Sequence, residues 1–479
     1  MRRLAIFLIA LGSIAVRLWR IDAPFDDRWS WRQSDVAAIA RNYLENGFHF
    51  GRPQVVWAGN QPGFVGTEFP LLPFTAALIY TATGVHEWVG RTISLLFFAS
   101  SLPSFYLIMK RASGAEAAIF ALVFYSFAPL MIAASRAFMP DAPSLSCALA
   151  GLYLFWRWTE KNHERLALFG ASLLMATSFL LKPTTATIAA PMALIAWQKF
   201  GWRIVFQRGL WFSAAIAVIP SAIWYSHAHA ISSEFYPHHM FGAGGIRLMH
   251  ADWYWRIAVQ TCFSSLTPIL FLLALMGAVT CRQLSIFRWW LAAMILFILV
   301  VGYGNRHEWY RLPLVPIAAA FAGCALSEMS QGRIGSVASA LLLVLFGICS
   351  PFAVGSYLAP TSRSLWELGA VLRAQTPEGS LIVVADDGDP TALYYAHRKG
   401  WHFLERGGIF DGNPFDSAQL IADLHSLRQR GASYLAFYRG TSWWLDYYPG
   451  FRNYLNDSAT LVSASPDYRI YHLSTHDQP

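Results

Sequence analysis

Between Trp29 and Asp35 the chain reads WSWRQSD, and between Gly66 and Pro73 it reads GTEFPLLP. These stretches bound the first long polar interval, Arg28 to Pro73, which follows an apolar N-terminal run. Asp35 and Glu68 therefore stand beside a segment of bilayer character. They are candidates for an active site at the outer membrane surface; the plain alternative is that loop acids merely solvate that surface.

The rest of the chain fixes the setting. Of 479 residues, 55% are hydrophobic and 13% charged, against about 25% charged in an ordinary soluble protein. This composition is that of a membrane protein. The 20 Trp and 20 Tyr residues suit helix ends at headgroup level. The net charge of +8 is accounted for by cytoplasmic loops that retain Lys and Arg, so no nucleic-acid partner is implied. The five cysteines show no CxxC pair and no metal-ligand spacing. Arg2 and Arg3 precede LAIFLIALGSIAV without a small-x-small cleavage site, which predicts an uncleaved first transmembrane helix.

Apolar runs long enough to cross a bilayer at about 20 residues each give eleven candidate spans. They lie near 4–20, 86–109, 115–134, 142–158, 166–181, 184–199, 209–226, 264–280, 287–303, 311–328 and 335–357. With the N-terminus inside, every inner loop carries a basic residue, as the positive-inside rule requires. The polar clusters at 28–87, 136–141, Lys182, 227–262 and 305–311 then share the outer face with everything after 357. The predicted fold is an α-helical polytopic membrane protein of about eleven transmembrane helices with a C-terminal soluble α/β domain. The membrane domain spans 1–357, with interfacial helices in its first outer loop (21–85), and the soluble domain spans 358–479.

Within the first loop, Ser34 is placed to cap a helix from Asp35 to about Asn46, stopped by Gly47. Its Val36, Ile39, Ala40, Tyr43 and Leu44 stripe predicts a helix lying in the interface. Phe69 to Thr83, short and holding Pro70 and Pro73, reads as a second interfacial or re-entrant helix. In the tail, LIVVAD (381–386), YLAFYR (434–439) and YRIYHL (468–473) read as strands, and 365–374 and 416–430 as helices. No GxGxxG or P-loop follows a strand, which argues against a nucleotide site there.

Three further outer clusters carry chemistry. SRAFMPDAPS places Arg136 and Asp141 at a helix–helix turn, where Asp141 also suits a cap. Lys182 in FLLKPTT is a cation on the face that the charge rule disfavours; it is either a snorkelling anchor or an anion partner. GNRHEWYRLPLVP crowds Arg306, His307, Glu308, Tyr310 and Arg311 into one turn. Its arginines suit a phosphate, to which guanidinium binds bidentately, or an internal ion-pair network. Glu68, Asp141 and His307, with Glu308 and Asp35, are also candidates for a divalent ion. His227, His229, His238, His239 and His250 populate the loop 227–262, whose glycines suggest a mobile cover. Carboxylates that activate a hydroxyl, cations that hold a phosphate and an adjacent bilayer together suggest group transfer from a lipid-linked phosphate donor.

At these residues the chain resembles the GT-C superfamily of integral-membrane glycosyltransferases, close to the protein O-mannosyltransferase and aminoarabinose (lipid A) transferase group. The matching pieces are WRQSDVAAIARNYLENG, TEFPLLPFTAALIY, SRAFMPDAPSLSCALAGLYLFWRW, LKPT and HEWYRLPLVP, in the family's order over most of 1–330. The resemblance implies an inverting transfer from a polyprenyl-phosphate-linked sugar to a glycan, lipid or protein acceptor. It implies a bacterial inner membrane, with the site and the tail on the periplasmic side. Asp35 matches the first-loop catalytic acid, Glu68 the acid before the proline-rich segment and Asp141 the acid of the second outer turn, while Lys182 and Arg311 match phosphate partners. One departure is that Asp35 is followed by Val36 and Ala37, not by a second acid. The competing class is a transporter or flippase of a lipid-linked saccharide, which would carry broken helices and internal repeats; no repeat is found.

Overall fold

The computed structural model describes residues 2–160, 165–235 and 245–473; His238 and His239 lie outside them. The chain divides into two compact units. One comprises Met1–Ile21, Arg91–Ser226 and Ala243–Leu358, the other Asp22–Gly90, His227–Gly242 and Ala359–Pro479. The first polar interval is thus grouped with the tail.

The first unit is helical, and prolines and glycines punctuate it, at some places where the sequence expected breaks and at others where it did not. Gly114, at φ 88°, interrupts Glu87–Phe127 just after Lys110 and Arg111, a conformation open to glycine because it has no Cβ. Pro129 starts a separate helix, Pro129–Arg136, inside what the apolar run suggests is one span. Pro183 excludes its predecessor from helical geometry, so Arg165–Leu181 ends and Lys182 is extended at φ −158°, ψ 106°. The described residues of the expected loop at 227–262 are largely helical instead: Arg208–Phe235 carries His227 and His229, and Ala251–Gln260 follows.

Leu341, Val344, Leu345, Ile348 and Phe352 leave much of their surface exposed on helix Gly332–Leu358, a face that water would penalise and lipid accepts. Among the described residues, Glu87–Phe127, Arg208–Phe235 and a stretch beginning at Gly332 are long and apolar enough to cross a membrane. A fourth is reached if Ala251–Leu266 and Pro268–Thr280, bent by 110°, form one broken span. The eleven expected crossings exceed what helix length and composition establish.

The second unit is built on a five-stranded sheet in the order β2-β1-β5-β7-β6, where β1 is Leu381–Ala385, β2 Lys399–His402, β5 Tyr434–Tyr438, β6 Ala459–Ser465 and β7 Tyr468–Leu473. A two-stranded ribbon of β3 (Glu405–Arg406) and β4 (Ile409–Phe410) stands apart. β2, β1 and β5 run parallel, while β7 and β6 are antiparallel. Trp401, Phe403, Leu420, Leu424, Phe437, Trp444 and Phe451 close the core on one face. Asp416 caps helix Ser417–Gln429 by accepting the Gln419 N–H at 2.8 Å.

Helix Ser30–Asn46 begins one turn earlier than Ser34 suggests. Asp27 supplies the start: its carboxylate accepts the Trp29 N–H and the Gln33 amide, each at 2.9 Å. Asp35 therefore lies beyond the first turn, where the helix dipole has largely faded. The helix is buried on all sides from Arg32 to Tyr43 and does not float on an apolar stripe. It packs on Leu71–Thr83 and on Thr391–Ala396. Arg41 donates to the Tyr394 carbonyl at 2.7 Å, and Ser34 and Thr391 share a hydrogen bond of 2.9 Å.

Candidate active site

Asp35 projects from helix Ser30–Asn46 into a pocket of ≈ 340 Å³ and is 3% exposed. Its Oδ1 accepts the Trp57 indole N–H at 3.0 Å. Its Oδ2 lies 3.6 Å from Arg32 Nη1, an ion pair beyond hydrogen-bond length. The other Arg32 nitrogen, Nη2, donates to Glu68, which also accepts the Thr67 hydroxyl at 2.9 Å. The structure thus brings Asp35 and Glu68 together through one guanidinium. Arg32, three residues before Asp35 on one helical face, carries the sequence signal for that bridge, and its importance was missed.

The pocket's other wall comes from the tail, which sequence reasoning left without a role. His402, at the end of β2, holds Asp386, just after β1, through Nδ1 at 2.8 and 2.9 Å. The His402 ring lies 5.4 Å from the Trp57 ring. Complete burial pushes the Asp386 carboxyl up to about 6. Burial alone would lower the His402 imidazole, but the carboxylates of Asp386, Asp35 and Asp389 outweigh it and hold it above its ordinary 6.5. Asp389 accepts from Ser30 at 2.6 Å and from the Thr391 N–H at 3.0 Å, which fixes the Asp389 loop and both helix starts.

In the first unit, the buried Lys182 ammonium lies 3.7 Å from Asp141 and 4.7 Å from the centre of the Tyr310 ring. Arg311 donates to the Gln260 side-chain oxygen, and the Gln260 amide donates to Glu308. Gln260, unremarked in the sequence, sits where helix Ala251–Gln260 gives way to a π-helical turn, Thr261–Leu266, a distortion common at functional positions. His307 stacks on Trp309 at 4.4 Å, while Arg306 is exposed beside Tyr303. Arg136 donates to the Arg20 carbonyl at 2.6 Å. Helix Pro129–Arg136 packs on the Glu308–Arg311 turn. Beside these cations an almost wholly apolar cavity of ≈ 290 Å³ is lined by Ile257, Thr261, Phe271, Leu299 and Phe321.

For a divalent ion, Glu68 already faces Arg32 and Asp141 already faces Lys182, so each carboxylate is compensated by a cation of the chain. Cys281, Cys324 and Glu328 form the one trio of convergent ligand atoms among the described residues.

A family model described as dolichyl-phosphate-mannose-protein mannosyltransferase matches residues 62–226. No curated protein matches the sequence. The crystal structure of ArnT from Cupriavidus metallidurans in the apo state is similar over 97% of this chain and 97% of its own, with a TM-score of 0.64 at 14% identity. The same protein bound to undecaprenyl phosphate gives 0.63 over 98% of each chain, also at 14% identity. The archaeal oligosaccharyltransferase AglB from Archaeoglobus fulgidus, in complex with an inhibitory peptide and a dolichol-phosphate, gives 0.62 at 12% identity. That likeness covers 100% of this chain and 75% of AglB. These likenesses establish the fold, which the chain shares with ArnT and AglB.

Proposed function

We propose that this chain, a protein of the GT-C fold, is an inverting glycosyltransferase that moves a sugar from a polyprenyl-phosphate donor to a hydroxyl of a cell-envelope acceptor. The reading extends to about eleven crossings of a bacterial inner membrane within 1–357 and to a periplasmic domain at 358–479. The observation that carries it is Asp35: a buried carboxylate that lines a pocket and is held at one oxygen by Trp57.

In the reaction, the acceptor oxygen bonds to the anomeric carbon as the bond from that carbon to the phosphate oxygen breaks. The bonding pair leaves with the phosphate, and the hydroxyl proton passes to Asp35 Oδ2. Glu68, through Arg32, positions Asp35. Lys182 and Arg311, with Arg136 and Arg306, stabilise the departing phosphate, where charge develops. The apolar cavity beside Gln260 suits part of an isoprenoid chain.

Labelled polyprenyl-phosphate sugars incubated with purified protein and candidate acceptors test the reading, and sugar appearing on an acceptor is the expected result. The broken helix pair Ala251–Leu266 and Pro268–Thr280 is the feature that favours a flippase. Translocation of the donor in vesicles without any transfer would establish that alternative.

A further inference from the structure

In open α/β sheets, ligands bind outside the carboxyl ends of parallel strands. Here three adjacent parallel strands deliver polar side chains at that edge. β2 ends in His402, β1 runs into Asp386 and Asp387, and β5 ends in Tyr438, whose hydroxyl donates to Asp387 at 2.7 Å. Asp386 accepts the Gly388 N–H at 3.0 Å, and Asp387 and Gly388 both adopt positive φ, at 55° and 78°. A non-glycine residue in that region is strained, as functional loops often are. This edge is one side of the Asp35 pocket, whose remaining surface includes Trp31, Trp57 and Phe410.

Asp386 is wholly buried and His402 lines the pocket, so one ring nitrogen is committed to Asp386 and the pocket is served by the other. Aromatic faces, carboxylates and an oriented imidazole match one ligand chemistry. The C–H face of a sugar ring packs on an aromatic face, while its hydroxyls donate to carboxylates and accept from an N–H. A peptide would instead use main-chain bonds to a free strand edge. At β2 that edge is taken: Gly400 donates to the Val56 carbonyl at 3.0 Å and accepts from Gly59 at 2.7 Å. Gly59, at φ 59°, is pressed so close to Trp401 that a Cβ there would lie 1.9 Å from the indole.

We propose that this pocket is the acceptor subsite and that its acceptor is a saccharide, bound by His402, Asp387 and Asp35 with its ring against the aromatic wall. The inference rests on Asp35 being the base of a transferase.

The test uses the full chain in detergent, polyprenyl-phosphate pentoses and hexoses as donors, and three acceptors: a glucosamine-disaccharide glycolipid, a Ser/Thr peptide and diacylglycerol. Transfer to the glycolipid alone is expected. His402→Gln, and separately Phe410→Ala at the rim, should raise the glycolipid KM roughly tenfold, with kcat and donor KM within about twofold. Phe410 carries no titratable group and makes no ion pair, so it serves if His402→Gln unfolds. Transfer to the peptide or to diacylglycerol instead, or an unchanged glycolipid KM in both variants, overturns the saccharide subsite and leaves the transferase standing. Transfer to none of the three, with donor translocation intact, overturns both.

Discussion

Trp57 gives its indole N–H to Asp35 at 3.0 Å, and the far side of the relationship is the His402 ring 5.4 Å from the same indole. One side chain thus fixes the candidate base and packs against the tail. Trp57→Phe keeps a ring and removes the donor. A hydrogen bond to a charged group contributes about 1.5–3 kcal/mol, so the transfer rate should fall roughly 10–100-fold, with the thermal midpoint nearly unchanged. Stopped-time transfer assays and a melting curve check this.

Arg32 neutralises two buried carboxylates at once. Arg32→Gln leaves Asp35 and Glu68 facing each other's field, and breaking a buried pair in this way costs about 3–5 kcal/mol. The double variant Arg32→Gln/Glu68→Gln removes one of the stranded charges. It should recover part of the lost stability, and a double-mutant cycle would read the coupling.

Stability should depend on pH through the Asp386–His402 pair. Both groups keep their proton longer when folded: Asp386 to about 6 against 3.8, and His402 above 6.5. The folded state therefore binds more protons, and stability falls as pH rises. His402's share is full below 6.5 and is lost as pH passes its raised value. The charged groups acting on it are Asp386 and Asp389 from the β1 loop and Asp35 from helix Ser30–Asn46. His402→Gln should flatten the alkaline side of a Tm-against-pH curve. An unchanged slope would remove the pair from this role.

Lys182 and Arg311 should act on the donor. Lys182→Met should raise the donor KM or lower kcat by roughly tenfold or more. Arg311→Lys keeps the charge but loses the planar fork that reaches Gln260, and a similar loss is expected. Donor titrations at saturating acceptor measure both.

The sequence carried the helical, apolar character of the first unit because apolar length and proline punctuation are local signals, as at Lys182-Pro183, but not the count of crossings, of which helix length and composition establish three or four. It carried β1, β5 and β7 through β-branched and aromatic runs. β2 escaped because KGWH is four residues with a glycine and no alternation. The helix start was misplaced by a turn because Asp27, not Ser34, makes the first bonds. The pocket itself was illegible for another reason: Asp35 and His402 meet only through tertiary packing, and neither WSWRQSD nor KGWH names the other. Arg32 was legible, since an arginine three residues before an acid on a helix is an ion-pair pattern.

The most direct measurement is single-turnover transfer by Asp35→Asn with donor prebound, alongside donor affinity and a melting curve. The expected result is normal folding and donor binding with transfer reduced about 10²–10⁴-fold, the usual contribution of a general base. Near-wild-type transfer by a well-folded Asp35→Asn protein would contradict the assignment of Asp35 as the base.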